Sequence, residues 1–137
     1  MANALYPKFK QALLNKTHDL DTDSIRAILA DAADYTYSSA HDFLDDVPGA
    51  GRVAVSGGLT SPTIVDGVFD TADFTWSSVS GDQSEQIILY NHDGNGAGTD
   101  AARQLIAFYD TSITGMPVTP NGGNINVTVN GSGWFSL

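Results

Sequence analysis

The chain has 137 residues, no cysteine, and six basic residues against sixteen acids, a formal net charge of −10. That length suits one domain with its own core, and the missing cysteine excludes disulfides, thiolate metal sites and cysteine nucleophiles. The acidity speaks against nucleic acid and against an anionic membrane as partners.

Residues 3–16, "NALYPKFKQALLNK", read as a short N-terminal arm with a helical turn. Pro7 suits the first turn of that helix, and Phe9, Leu13 and Leu14 fall on one side of it. All three lysines of the chain, Lys8, Lys10 and Lys16, lie in this arm. "THDLDTD" follows as a polar turn. "SIRAILAD" (24–31) reads as the first strand, with Ile25, Ala27 and Leu29 against Arg26, Ile28 and Ala30. The expected division is therefore an arm over 1–23 and a β domain over 24–137. In "YTYSSAHDFLDDVPGAG" (35–51), Ser38 or Ser39 is placed to cap a short helix over 39–46. Phe43, Leu44 and Val47 would be its buried side, and Pro48 and Gly49 its end.

Strand patterns then recur as "RVAVSG" (52–57), "TIVDGVFD" (63–70), "ADFTWSSVSG" (72–81) and "SEQIILYN" (84–91). "RQLIAFYDT" (103–111), "NINVTVNG" (124–131) and "GWFSL" (133–137) complete the series. Each is rich in β-branched or aromatic residues, with Gly, Asp, Asn or Pro between. "FTWSSV" puts Phe74 and Trp76 on one face, and "INVTVN" does the same for Ile125, Val127 and Val129. Such alternation predicts antiparallel sheets with one wet face. The expected fold is all-β, an antiparallel β-sandwich of seven or eight strands with a short helix and an N-terminal helical arm. Aspartate carries the acidity, Glu85 being the only glutamate, and 14 glycines accompany it, which also suits a turn-rich β protein.

"LYNHDGNGAGTD" (89–100) is the segment that most resembles a metal loop, because Asn91, Asp93 and Asn95 alternate ahead of Gly96. A calcium loop of the helix-flanked kind closes with a bidentate carboxylate at its twelfth position. Counting from Asn91, that position is Ala102, which supplies no ligand. The reading is a polar hairpin loop, with a cation or glycan site as the alternative. His18, His41 and His92 share no spacing that would make a zinc site. No G-x-S-x-G elbow is present, "DGNGAG" lacks the ending of a phosphate loop, and Asp45–Asp46 beside Pro48 reads as an exposed helix end rather than a hydrolytic pair. Asn126 and Asn130 head glycosylation triplets that occur often by chance. Trp76, Trp134, Tyr90 and Tyr109 would make a sugar platform only if exposed, and core packing is the simpler use. No catalytic residue, metal or cofactor is expected.

Several pieces together, "ALYPKFKQALL", "IRAILADAADYTYSSAHDFLDDV", "GVFDTADFTWSSVSG", "LIAFYDT", "GMPVTPNGGNINV" and the terminal "WFSL", resemble a group of short virion structural proteins of tailed bacteriophages. The more specific are "DYTYSSAHDFLDDV" and "PVTPNGGNI", since Pro and Gly at fixed places are not demanded by a generic strand. The loop "HDGNGAGTDAA" departs from the group, so no role is carried onto it. The resemblance implies a particle component made in the host cytoplasm. It leaves the position on the particle open; the expected role is a capsid decoration or cement subunit bound to the major capsid protein, as a symmetric oligomer, by analogy a trimer. The alternative is a tail or fibre accessory module binding host-surface glycan. Under the first reading the arm, with Tyr6, Lys8, Phe9, Lys10 and Lys16, is the expected contact with an acidic partner, the alternative being that its lysines are merely solvated; the glycan reading would instead use aromatics around the loops at 91–100 and 115–123.

Overall fold

The computed structural model describes residues 3–93, 98–110 and 115–137. Among these residues lie ten short strands and one α-helix: β1 (Ala4–Leu5), α1 (Pro7–Leu14), β2 (Ile25–Ala30), β3 (Arg52–Val55), β4 (Thr63–Val65), β5 (Val68–Asp70), β6 (Phe74–Trp76), β7 (Gln86–Asn91), β8 (Leu105–Tyr109), β9 (Ile125–Val127) and β10 (Phe135–Ser136). Every pairing is antiparallel. The main sheet has the order β1-β8-β7-β2-β3, a second sheet is β10-β5-β4, and β6 pairs with β9.

β2 and β7 form the spine, in register from Ile25 opposite Asn91 to Ala30 opposite Gln86. Their apolar runs are near-continuous because the sheet is covered on both faces, and all six residues of β7 are buried. Register partners share a face, so Ile28, Ile88 and Phe108 lie together. Tyr37 covers that face, with its ring 5.2 Å from Phe108 and 5.1 Å from Tyr6. Ile87, Leu89, Ala107 and Tyr109 point the other way, and the Trp134 ring stands 5.6 Å from Tyr109. Phe69 and Phe135 of the second sheet stack beside it at 5.5 Å, and Phe135 meets Phe9 of α1 at 5.9 Å. The result is a sandwich of the main sheet with the smaller sheets. Trp76 ties the layers by donating its Nε1–H to the Ala27 carbonyl at 3.1 Å.

Three expectations are corrected. The arm expected over 1–23 is, in its described residues 3–23, part of the domain: β1 pairs with β8, the Tyr6 N–H donates to the Ile106 carbonyl at 3.0 Å, and Tyr6, Phe9 and Leu20 belong to the core. Apolar residues at helical spacing needed a surface to cover, and the main sheet supplied it. The expected helix over 39–46 is instead a single 3-10 turn, Leu44–Asp46. Asp46 reaches back to accept from the Asp42 N–H at 2.8 Å, the local side-chain bonding by which aspartate competes with a longer helix. Residues 63–70 are two strands and not one. Asp66 (φ 51°) and Gly67 (φ 80°) form the two-residue turn with both residues left-handed that joins β4 to β5.

Candidate functional site

α1 starts on Pro7, whose missing N–H costs nothing at a first helical position, and ends in a left-handed exit. Lys16 has φ 60°, its N–H donates to the Leu13 carbonyl, and the Thr17 N–H donates to the Ala12 carbonyl at 2.9 Å. This is the bond pattern of a Schellman motif with lysine where glycine is usual. The exit turns the chain back toward the second sheet and leaves a groove between them of about 370 Å³. Leu13 and Leu20 form one wall; Ile64, Phe69, Phe135 and Leu137 form the other. Lys16, His18 and Asp19 also line it. Ile64 and Leu137 are 52% and 68% exposed, and Leu14, next in sequence to Leu13, is 85% exposed. Large apolar side chains this open, gathered about a concavity, are the usual mark of a contact surface.

Lys8, Lys10 and Lys16 are all exposed, so the three expected cationic contacts lie on α1 and at the groove. Tyr6 and Phe9 are fully buried, and their expected role as partner contacts is corrected. The Tyr6 hydroxyl bonds the Tyr35 hydroxyl at 2.7 Å, and Tyr35 bonds His41 Nδ1 at 2.9 Å. Burial pushes the Tyr35 hydroxyl up to about 12 and raises that of Tyr6 further. Both aromatics serve the fold and not its outer face. Ile64 and Leu137 escaped notice in the sequence because nothing local distinguishes an exposed strand isoleucine from a buried one.

The loop that opens at Asn91 is held by protein groups wherever it is described; residues 94–97 lie outside the described residues. The Asn91 amide donates to Asp23 Oδ2 at 2.7 Å and stands 3.0 Å from His18 Nδ1. Asp93 accepts from the Ser24 N–H at 2.8 Å. Asp100 accepts from Arg52 Nη1 at 2.7 Å and from Arg103 Nη1 at 3.3 Å. Those arginines hold its carboxyl below the ordinary range, the Arg52 hydrogen bond being the largest cause. Three of the oxygens a cation would need are thus already engaged.

The histidines have separate surroundings. His18 is buried beside Phe9 and its pKa is lowered by that burial, with Asp23 and Gln104 pulling it part-way back. His41 lies against Tyr35. His92 is lowered by burial and then by Arg26 and Arg103. Among the described residues, the carboxylates of Asp31, Asp34 and Asp82 bring oxygens within 4.8 Å of one another. They offer three ligand atoms, against the six to eight that calcium takes. Asp31 already accepts from the Ala33 N–H. The four aromatics considered for a sugar platform are turned inward: Trp76 and Tyr90 are buried, and half-buried Tyr109 donates its hydroxyl to the Trp134 carbonyl at 2.6 Å. Among the described residues no helix is long and apolar enough to cross a membrane.

Comparison with known proteins adds no relative: no protein-family model matches the sequence, and no curated protein matches it.

Proposed function

We propose that this chain is a virion structural protein of a tailed bacteriophage, a decoration or cement subunit that binds and stabilises the assembled head. The observation that carries the reading is the apolar groove between α1 and the second sheet, edged by Ile64, Leu137 and Lys16. The sequence pieces that resemble virion proteins supply the particle as the setting. The occupant of the groove is an apolar side chain presented on an acidic surface of the major capsid protein. Apolar contact supplies affinity, and Lys8, Lys10 and Lys16 orient a chain that is otherwise strongly negative. A ligand that binds only the assembled lattice stabilises that lattice by mass action, and no chemistry is required. The glycan-binding alternative has none of its four candidate aromatics exposed to rest on.

The test is thermal. Heads with and without the protein are heated and DNA release is followed, with Ile64→Asp as a groove variant. A higher release temperature with the wild-type protein and lost occupancy with the variant support the proposal. Equal release temperatures, together with absence of the protein from purified heads, refute it. Light scattering of the free protein decides the expected trimer.

A further inference from the structure

The chain has only three arginines, Arg26, Arg52 and Arg103, and they gather around Tyr90 and His92 although 26, 52 and 103 are far apart in sequence. Two of them are committed. Arg52 donates from Nε to the Val47 carbonyl at 2.8 Å, from Nη2 to the Leu44 carbonyl at 2.6 Å and from Nη1 to Asp100. Arg103 donates from Nε to the His92 carbonyl at 3.0 Å, and its other nitrogens reach Asp100 and His92 Nε2, each at 3.3 Å. Arg26 differs. It sits directly across from Tyr90 in the β2–β7 register, and its Nε is buried with no acceptor. Among the described residues the ion pairs use Arg52 and Arg103 only, both on Asp100.

The hydrogen-bond directions leave a second donor unused. A guanidinium can only donate, so the His92 Nε2 facing Arg103 is the accepting nitrogen. The neutral ring then carries its proton on Nδ1, which donates to the Tyr90 hydroxyl oxygen at 3.3 Å. The Tyr90 hydroxyl hydrogen is thereby turned to some other acceptor. Burial raises the Tyr90 pKa, and Arg26, Arg103 and Arg52 pull it back in that order, which fits three cations close to one phenol. The nearby acids are few: Asp100 is shared by two arginines, and Asp93 is bonded to the Ser24 N–H. Among the described residues, Arg26 is thus left without an ion-pair partner beside a donating tyrosine.

The geometry points to an oxyanion-binding site at this end of the main sheet. Arg26 and the Tyr90 hydroxyl would bind one carboxylate or phosphate group, with Arg52 and Arg103 supplying background positive charge and Asp100 and His92 fixing the positions of those arginines. Planar bidentate donors suit either group. The site is distinct from the α1 groove, so it stands or falls apart from the cement reading.

The experiment uses the full chain, 15N-labelled, with the arginine Nε–H resonances followed in two titrations at matched ionic strength, one with inorganic phosphate and one with acetate. The Arg26 Nε–H signal shifts and saturates with at least one of them. Saturation with phosphate alone identifies a phosphate site; saturation with acetate as well identifies a site for a carboxylate side chain. Arg26→Gln and, separately, Tyr90→Phe each weaken the binding about tenfold or more, the value of a hydrogen bond to a charged group. The anion raises the melting temperature of the wild type more than that of either variant, which separates lost binding from lost folding. No saturable shift with either anion, or saturation that survives both Arg26→Gln and Tyr90→Phe, overturns the site.

Discussion

Lys16 combines two properties that a pair of substitutions separates. Its φ of 60° puts a side chain in the left-handed region, which costs a non-glycine residue roughly 1–2 kcal/mol. Glycine removes that cost and loses roughly 0.5–1 kcal/mol through its freer unfolded chain. Lys16→Gly should therefore stabilise the fold by about 0.5–1 kcal/mol, seen as a rise of about 2–4 °C in melting temperature for a chain of this size. Lys16→Ala keeps the Cβ, and with it the strain, so it should fall within about 0.5 kcal/mol of the wild type. Both remove the charge that lines the groove, so both should lower occupancy on particles to a similar extent. Urea denaturation and thermal melts of the three proteins make the comparison. If glycine is no more stable than alanine at this position, the reading of the α1 exit as a strained Schellman turn fails. If particle occupancy follows stability and not charge, the docking role of Lys16 fails with it.

Gly133 has φ 83°, and a Cβ there would stand 2.6 Å from Val68 Cγ1 and 2.7 Å from the Phe69 carbonyl oxygen. Gly133→Ala should cost roughly 2–4 kcal/mol in urea denaturation and loosen the β5–β10 pairing. Asp100 is held below its ordinary 3.8 by Arg52 and Arg103, so its contribution is present above 3.8 and lost as pH falls through the lower folded value. Asp100→Asn should therefore lower the urea midpoint at neutral pH, and the gap to wild type should close in acid; a pH-independent gap refutes the pairing. His18 and His92 are both lowered from 6.5, so the unfolded chain takes up their protons first and stability falls as pH drops below 6.5. Ring-proton titrations by NMR should show both midpoints below 6.5.

What the sequence made legible follows from which forces are local. Strands β2, β7 and β8 stood out because runs of four or five successive β-branched, aromatic and apolar residues bounded by polar ones have few other uses in a short chain. The Phe74 and Trp76 pair was readable from its two-residue period, and the rings meet at 5.0 Å. The Asp66–Gly67 turn was also present as a dipeptide signal, but the flanking Thr63–Val65 and Val68–Asp70 run together as one apolar stretch and hide the reversal. The helix expected over 39–46 depended on capping serines, while the competing bond came from Asp46 at the far end. Whether Tyr6 and Phe9 faced in or out could not be read from the arm, since that depends on the surface across the sheet. The groove and the arginine gathering are long-range products of pairing. Residues 26, 52 and 103 meet only after β3, β2, β7 and β8 are laid side by side in that order.

The pairing of Ala4 with Phe108 has a temporal consequence. On a translating ribosome the first strand emerges more than a hundred residues before its neighbour exists. Until then Tyr6 and Phe9 have no sheet edge to lie on and stay in water, sticky and open to nascent-chain chaperones. Closure of the layer therefore waits until most of the polypeptide has left the exit tunnel, so premature termination upstream of β8 should yield insoluble fragments and not smaller folded domains.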